Sequence, residues 1–245
     1  MKHYGLIGYP LGHSFSKAYF TTKFQLEQIE ADYELFSIAT KRELENFLNH
    51  SKLHAFNVTL PWKEEVAAAL KELDSVAASI QAVNCVIKRN QKWYGYNTDV
   101  IGFEASLLQF TDLHRKKALV FGQGGSSKAV QFVLNKHQVP FLVIGRTSSL
   151  NTLLYQDLTK DIVQEYALWI NTTPVGMFPL VEDCLPLPFE YVTHKTEVVD
   201  LIYNPEKTRL LTLAERQGAR ICNGYAMLVK QAEASYEKFC LADEV

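Results

Sequence analysis

Short apolar runs alternate with amphipathic stretches through the first part of the chain. The apolar runs are rich in aromatic and β-branched residues, which favours strands. The predicted strands are residues 4–9, 33–38, 55–59, 83–88 and 93–96. Apolar residues spaced three or four apart predict helices between them, at residues 16–30, 41–49 and 63–73. This order of elements predicts an α/β domain that is complete in itself.

The second part of the chain repeats the alternation after a predicted connecting helix at residues 101–110. Its predicted strands are residues 118–121, 139–145, 167–171, 197–202 and 219–222. Its predicted helices are residues 126–136, 206–217 and 225–241. Strands that alternate with helices predict a parallel, doubly wound sheet of the Rossmann type. The helix that usually follows the second strand is expected to be missing or reduced, because few residues separate Ser149 from Leu153.

A glycine-rich turn follows the first strand of this second part. Gly122, Gly124 and Gly125 form the pattern G-x-G-G-x-x-x-A, with Ser127 in the place of a third spaced glycine. Glycines let the backbone approach a ligand closely, and the N–H groups at a helix start face an anion. The turn therefore predicts a cradle for dinucleotide phosphates. Glycine turns without a ligand are also common, so the motif alone does not establish a dinucleotide-binding site.

The end of the next strand bears on the choice of dinucleotide. A site for NAD usually places Asp or Glu there, on the ribose 2′-hydroxyl. Here residues 145–149 read Gly-Arg-Thr-Ser-Ser, and the next acidic residue is Asp157. The planar donor fork of Arg146 among hydroxyl groups suits a 2′-phosphate, which favours NADP. The alternative is that Arg146 is an ordinary solvated turn residue.

Composition and charge exclude several classes of partner. The chain has 245 residues, of which 47% are hydrophobic and 21% charged, as in an ordinary globular protein. Its formal charge of −2 gives no reason to expect nucleic acid or an anionic membrane as a partner. No apolar run approaches the ~20 residues of a membrane span, and no signal-peptide core opens the sequence. We therefore expect a cytoplasmic protein, monomer or homodimer, that acts on a small molecule.

Metal chemistry is not expected from the sequence. The cysteines, at positions 85, 184, 222 and 240, show no C-x-x-C spacing. No grouping of His, Cys and carboxylate residues has the spacing of metal ligands. Four free thiols fit a reducing cytosol.

Several polar residues lie at or just past predicted strand ends, where apolar residues or simple turns would suffice. They are Asn57, Thr59, Lys63, Asn84 and Asp99. Because strand carboxyl ends in an open α/β sheet line one crevice, we expect these residues to converge. Amides, a hydroxyl, one lysine and one carboxylate together predict a pocket for a small polyhydroxy acid. Taken singly, Lys63 has a surface lysine as its alternative, and Asp99 a helix N-cap.

These residues belong to a longer series of motifs. In the first part they are Gly8-x-Pro10-x-x-His13-Ser14-x-Ser16, Asn57-Val-Thr-Leu-Pro-Trp-Lys63, Ala82-Val83-Asn84 and Gly95-x-Asn97-Thr98-Asp99. In the second part they are Gly122-x-Gly124-Gly125-x-x-x-Ala129, Asn171-Thr-Thr-Pro-Val-Gly-Met177, Asp200-x-x-Tyr203-Asn204-Pro205 and Gly224-x-x-Met227-Leu228-x-x-Gln231. Each motif is weak alone, but their order along nearly the whole chain resembles the shikimate dehydrogenase family.

The resemblance implies an enzyme that interconverts 3-dehydroshikimate and shikimate with NADPH, in aromatic amino-acid biosynthesis. It implies an N-terminal α/β substrate-binding and catalytic domain over residues 1–101. A doubly wound, Rossmann-type NADP-binding domain would follow over residues 102–224, and the C-terminal helix, residues 225–245, would pack back on the first domain. Lys63 would be the catalytic acid/base, coupled to Asp99.

The resemblance also assigns the binding residues. Ser14, Ser16 and Tyr203 would hold the substrate carboxylate, although both serines have a helix N-cap as their alternative. The other substrate-binding residues implied are Asn57, Thr59, Asn84, Asp99 and Gln231. The cofactor-binding residues implied are Gly122, Gln123, Gly124, Gly125, Ser126, Arg146, Thr147, Leu201 and Gly224.

Three features depart from the family pattern. Lys17 replaces a usual proline, Gly145 replaces an asparagine, and the chain is short after Arg146. The last two leave open a quinate/shikimate dehydrogenase that uses NAD. A folate-type dehydrogenase is a second alternative, which the serine pair disfavours. A non-catalytic relative that senses the metabolite is a third, which the presence of Lys63 and Asp99 disfavours.

Overall fold

The computed structural model describes residues 1–12, 14–147 and 152–242. The chain forms two compact units, which we call unit 1 and unit 2. Unit 1 comprises Met1–Thr98 with Ala232–Val245, and unit 2 comprises Asp99–Gln231. The domain boundaries predicted from the sequence, after residues 101 and 224, lie close to these divisions.

Unit 1 contains one six-stranded mixed sheet. Its strands are β1 (Lys2–Gly8), β2 (Ala31–Ser37), β3 (Ala55–Val58), β4 (Glu72–Leu73), β5 (Cys85–Arg89) and β6 (Lys92–Tyr96). Its helices are α1 (Phe15–Leu26), α2 (Lys41–His50), α3 (Lys63–Ala69) and α4 (Ser75–Ile80). The strand order is β2-β1-β3-β5-β6-β4, with β2, β1 and β3 parallel and β5 antiparallel to both of its neighbours.

Local sequence explains several of these elements. Thr40 and Glu43 form a reciprocal capping box that starts α2. Asn90 and Gln91 both have positive φ, 48° and 59°, in the two-residue turn of the β5–β6 hairpin. Such a turn matches the right-handed twist of the flanking strands, and asparagine tolerates the left-handed region better than most residues.

The helix predicted over residues 63–73 is shorter in the structure. It ends at Ala69, because Leu70 is extended and Glu72 and Leu73 pair with β6 as the short strand β4. Asp74 then starts α4, which the sequence reading missed, by accepting a hydrogen bond from the N–H of Ala77 at 2.7 Å. The apolar spacing of the run hid this change from helix to strand.

Unit 2 contains a six-stranded, wholly parallel sheet. Its strands are β7 (Ala118–Phe121), β8 (Phe141–Gly145), β9 (Thr152–Leu154), β10 (Leu168–Asn171), β11 (Glu197–Asp200) and β12 (Arg220–Cys222). Its helices are α5 (Asp99–Phe110), α6 (Gly125–Lys136), α7 (Lys160–Glu165) and α8 (Arg209–Arg216), and α9 (Tyr225–Phe239) begins here and ends in unit 1. The order β12-β11-β10-β7-β8-β9 is the doubly wound Rossmann order.

The stretch after β8 differs in detail from the prediction. Residues 152–154 form an edge strand, paired in parallel with β8, where none was predicted. The short helix α7 lies beyond it, capped by the Thr159 side chain. Ser148 and Ser149, which the sequence predicts to lie beside Arg146 at the cofactor, are outside the described residues, as is His13.

Both faces of the unit 1 sheet are covered. On one face Phe56 and Val58 of β3 pack in a cluster with Trp62 and Val66. On the other face Ala55 of β3 packs in a cluster that includes Phe20 of α1 and Phe239 of α9. Because strand residues alternate between faces, Asn57 lies on the same face as Ala55, towards α1 and α9. A buried amide there needs polar partners, since the surroundings are otherwise apolar.

Candidate active site

The loops that leave β1 and β3 are held together at the carboxyl ends of these strands. The N–H of Tyr9 donates to the carbonyl of Leu60 at 2.9 Å. A Cβ atom on Gly8 would lie 2.5 Å from the Thr59 methyl group, so the close approach of the two loops requires glycine there. This contact places the loop that leads to Ser14 against the strand end that carries Thr59.

The two serines at the start of α1 have different surroundings. Ser14 occupies the N-cap position with an extended backbone, but its side chain makes no capping hydrogen bond to the helix. Ser16, one residue into α1, shares a hydrogen bond with the hydroxyl of Tyr33. Both are half-buried. The capping alternative for Ser14 is therefore not realised within the described part of the chain.

Asn57 is the centre of a buried polar network in unit 1. Its Oδ1 accepts from the Tyr33 hydroxyl at 2.8 Å. Its Nδ2 donates to the Asn84 carbonyl at 3.1 Å and to the Ser235 hydroxyl at 2.9 Å. Burial raises the pKa of Tyr33 well above its ordinary value, so the phenol keeps its proton and donates. The Asn57 amide is thus occupied by protein partners, and we interpret it as a positioning group.

The network continues to the residue that precedes Asp99. The Thr98 hydroxyl lies 2.9 Å from that of Ser235. Asn84 accepts from the Thr98 N–H through Oδ1 at 2.7 Å and donates to the Thr98 hydroxyl through Nδ2 at 3.0 Å. Asn97 donates to the Ala82 carbonyl at 2.9 Å. These bonds fix the backbone corner that presents Asp99, which is itself 5% exposed, as the first residue of α5.

Lys63 lies at the first position of α3 and is half-buried. Its carbonyl accepts from the N–H of Val83 at 2.9 Å, next to Asn84. Trp62, just before it, is buried and donates its indole N–H to the Ile38 carbonyl at 2.8 Å. The start of α3 is therefore anchored on both sides, although a helix start disfavours a cation. The Lys63 ammonium group therefore gains no favourable interaction with the dipole of α3.

In unit 2 the glycine turn has the form of a phosphate cradle. Gly122 has φ +113°, and a Cβ there would lie 2.5 Å from the Thr172 hydroxyl. Gly124 is the N-cap residue of α6 and, as a glycine, offers the helix start no side-chain acceptor. A Cβ atom on Gly124 would stand in open space. Ser127 donates to the Gly122 carbonyl at 2.7 Å, which holds the turn on the helix. Gly125 and Ser126 begin α6, whose N–H groups favour an anion.

The departure at Gly145 has a structural counterpart. A Cβ on Gly145 would lie 2.6 Å from Oε1 of Gln123, whose Nε2 donates to the Thr152 hydroxyl at 3.2 Å. The Gln123 amide thus occupies the space that a larger residue would need. Arg146 and Thr147 follow and are exposed. Burial raises the pKa of Tyr155, and the positive charge of Arg146 opposes this shift.

The remaining predicted residues of unit 2 lie in the loop after β11, between β12 and α9, and on α9. A Cβ on Gly224 would lie 2.0 Å from the carbonyl oxygen of Leu201, so these two backbones touch. Tyr203 is half-buried in the same loop as Leu201. Gln231 packs with its Cβ against Gly102 and donates to the Leu228 carbonyl at 2.9 Å.

Neither a metal site nor a membrane-spanning helix is found in the described part of the chain. No group of His, Cys, Asp or Glu residues there is arranged to hold a metal ion. None of the helices within residues 1–12, 14–147 and 152–242 has both the length and the apolar character that crossing a bilayer requires.

Comparisons with known proteins decide the family. A family model described as shikimate dehydrogenase substrate binding domain matches residues 6–86. The chain is 36% identical to the shikimate dehydrogenase (NADP(+)) of Caldanaerobacter subterraneus subsp. tengcongensis, over 96% of this chain and 90% of the relative. The chain belongs to the shikimate dehydrogenase family.

Solved structures of the family are similar over the full chain. Shikimate dehydrogenase 1 of Peptoclostridium difficile has a TM-score of 0.88 at 30% identity, covering 99% of this chain and 93% of that one. Shikimate 5-dehydrogenase of Thermus thermophilus, solved with NADP(H) and shikimate, has a TM-score of 0.87 at 29% identity, covering 100% and 96%. These findings confirm the predicted family and the α/β fold with a Rossmann-type unit.

The hydrogen bonds of unit 1 also include residues to which the sequence assigned no role. Tyr33 and Ser235 received no role, yet both bond to Asn57. Thr98 was grouped with Asn97 and Asp99 only as part of a motif. One signal was available for Ser235, which stands four residues after Gln231 and so on the same side of a helix.

Proposed function

We propose that this protein interconverts 3-dehydroshikimate and shikimate with NADP(H). The observation that carries the proposal is the similarity, over 96% of the chain, to curated NADP-dependent shikimate dehydrogenases. The chain retains Lys63 and Asp99, which a catalyst of this reaction needs and a metabolite sensor does not.

We propose that Ser14 and Ser16 bind the substrate carboxylate. They stand at the start of α1, a helix of 12 residues with no acidic residue in its first turn, where N–H groups favour an anion. The Ser14 hydroxyl makes no capping hydrogen bond to α1. Tyr203 in unit 2 is the third proposed carboxylate ligand, while Thr59, Asn84, Asp99 and Gln231 are the proposed partners of the substrate hydroxyls.

Oxidation of the secondary alcohol removes a hydride and a proton. When bound, NADP supplies the hydride acceptor. We assign the proton to Lys63, with Asp99 as its partner, because the serine, threonine and asparagine side chains of the set are poor bases near neutral pH. In the reverse direction Lys63 returns the proton to the forming hydroxyl oxygen. The network through Asn84 and Thr98 supports this role by fixing the corner before Asp99.

The cofactor residues of unit 2 fit a dinucleotide with a 2′-phosphate. The space beside Gly124 and the uncapped start of α6 suit the pyrophosphate. The exposed guanidinium of Arg146 at the end of β8 suits a second phosphate, and residues 145–147 include no carboxylate for a ribose 2′-hydroxyl. We propose that Gly122, Gln123, Gly125, Ser126, Thr147, Leu201 and Gly224 complete the site.

A crossed assay tests the proposal. Shikimate and quinate are each combined with NADP and with NAD, and absorbance at the reduced nicotinamide band gives the initial rate. We expect shikimate with NADP to have the highest kcat/KM. A higher value for quinate with NAD would establish the alternative dehydrogenase. A protein that binds shikimate in calorimetry but shows no turnover in any of the four combinations would be a metabolite sensor.

The proposed setting is the cytoplasm. All four cysteines are free, which fits a reducing compartment. A monomer or homodimer remains the prediction from the sequence, and sedimentation of the purified protein measures it directly.

A further inference from the structure

Asp200, the last residue of β11, is wholly buried in unit 2 and bonded to three different parts of the chain. Its Oδ1 accepts from Nδ2 of Asn171 at 2.9 Å and from the N–H of Ile202 at 3.1 Å. Its Oδ2 accepts from the Thr208 hydroxyl at 2.6 Å. No substrate or cofactor contact was predicted for this residue. A wholly buried carboxylate is costly, so its bonds call for an explanation.

Two of the three partners of Asp200 lie near the ends of the loop that joins β11 to α8. Ile202 is the second residue of this loop, and Thr208 is its last residue and the N-cap of α8, where it also accepts from the N–H of Leu211. Leu201 is the first residue of the loop, and Tyr203 also lies in it. Bonds at both ends to a single carboxylate restrict the conformations of the loop, since they set the distance between its ends.

The third partner, Asn171, connects this loop to the glycine-rich turn of residues 122–125, which we call the cofactor turn. Asn171 ends β10, beside Asp200 in the register of the sheet, and its Oδ1 accepts from the N–H and the hydroxyl of Thr173 at 2.9 and 2.8 Å. The neighbouring Thr172 donates to the Phe121 carbonyl at 2.7 Å and stands against Gly122. A continuous set of contacts therefore runs from the glycine turn to the Tyr203 loop.

We propose that Asp200 is a positioning residue, whose hydrogen bonds hold the loop 201–208 in register with the strand ends that carry the cofactor turn. The inference rests on the proposed function, because Tyr203 and Leu201 have their roles from it. Burial raises the pKa of Asp200 to about 6, against the pull of its three hydrogen bonds. The carboxylate is thus ionised at neutral pH, as an acceptor for all three donors.

Two substitutions separate hydrogen bonding from charge. In Asp200→Asn the amide oxygen still accepts from Asn171 and Ile202, while the amide N–H₂ donates to the Thr208 hydroxyl, so the bonds survive without the charge. In Asp200→Ala all three donors lose their partner. We expect Asp200→Ala to raise the KM for shikimate about 10-fold or more, because the loop that carries Tyr203 loses the hydrogen bonds to a charged group that position it. The kcat is expected to stay within about 3-fold of wild type. Asp200→Asn is expected to keep a KM within about 3-fold of wild type.

A second readout needs no substrate. Amide hydrogen exchange of the full-length, ligand-free protein is followed for the loop and for β7 and α6 as an internal reference. We expect exchange in residues 202–208 to be about 10-fold faster in Asp200→Ala than in wild type, and near wild type in Asp200→Asn, with the reference segments unchanged. If Asp200→Ala does not fold, Thr208→Val replaces it, with Thr208→Ser as the control that keeps the hydroxyl.

The outcomes distinguish this inference from the proposed function. Faster exchange of the loop in Asp200→Ala, together with a wild-type protein that does not turn over shikimate, would refute the proposed function and leave the positioning role of Asp200 standing. Normal KM and normal exchange in Asp200→Ala, with an active wild type, would overturn the positioning role alone. Equal damage from Asp200→Asn and Asp200→Ala would overturn it as well, because charge rather than hydrogen bonding would then hold the loop.

Discussion

The hydroxyl oxygens of Ser235 and Thr98 lie 2.9 Å apart in the interior of unit 1. Ser235 comes from the C-terminal helix, and Thr98 directly precedes Asp99. Ser235 also accepts from the amide of Asn57, so one hydroxyl joins α9 to a central strand and to the corner before the proposed catalytic carboxylate. The C-terminal helix thus completes the polar interior of the unit, in addition to covering its apolar face.

Replacing Ser235 by alanine is expected to destabilise the protein. The side-chain N–H of Asn57 and the hydroxyl of Thr98 would each lose a buried partner, which costs about 1–3 kcal/mol of unfolding free energy. Urea unfolding of the full-length protein measures the change. Ser106→Ala is the matched control, because Ser106 is also buried but donates only to a carbonyl of its own helix, at 3.0 Å. An equal loss for both variants would contradict a special role for Ser235.

The polar residues at the strand ends could be predicted from the sequence, but the distant residues that bond to them could not. Lys63, Asn84 and Asp99 were found because polar residues interrupt apolar runs, a pattern that is local in the chain. Ser235 stands 178 positions from Asn57, and no local pattern joins the two. The same holds for Gln123, whose amide fills the space left by Gly145. Such pairs depend on packing, which one sequence does not reveal.

Replacing Ser14 by alanine tests the proposed carboxylate site. Because the Ser14 side chain does not cap α1, its loss should leave the melting temperature nearly unchanged. A lost hydrogen bond to a charged ligand costs about 1.5–3 kcal/mol, so the KM for shikimate should rise about 10- to 150-fold. Thr40→Ala is the control: it breaks the capping box of α2 and should cost about 1 kcal/mol of stability without changing this KM. A stability loss in Ser14→Ala with normal KM would assign Ser14 to the helix.

Replacing Arg146 by alanine tests the cofactor assignment. Arg146 is exposed, and we propose that its guanidinium pairs with the 2′-phosphate, which NAD lacks. We expect kcat/KM for NADP to fall at least about 10-fold and kcat/KM for NAD to stay nearly constant. Arg115→Ala serves as the control, since that residue lies in the loop before β7. A proportional fall with both cofactors would mean that Arg146 supports the turn and does not read the phosphate.

Because of His54, we expect the free energy of unfolding to depend on pH. The N–H of His3 donates to Nδ1 of His54 at 3.0 Å, and this bond requires the unprotonated nitrogen. Burial lowers the pKa of His54, assisted by the nearby charges of His3 and Lys2. The unfolded chain therefore binds the proton more readily, so this contribution is complete above about pH 6.5 and is lost as the pH falls through the folded pKa. Urea unfolding from pH 8 to 5 should show a smaller acid loss for His54→Asn, whose amide oxygen can accept the same bond. Parallel profiles for the two proteins would contradict this.

Lys63 is the residue on which the proposed chemistry depends. It stands at the first position of α3, where the helix dipole disfavours a cation, so Lys63→Ala removes no favourable interaction with the dipole. Turnover should nevertheless fall about 10²–10⁴-fold, the usual contribution of an acid/base group. Asp99→Asn should be similarly damaging, and the double variant no worse than either single one, as expected of two groups that act as a unit. The KM for shikimate should change far less, since the proposed carboxylate ligands remain. Near-normal turnover in Lys63→Ala would move the proton transfer to Asp99 or to water, whereas additive losses in the double variant would show that the two side chains act independently.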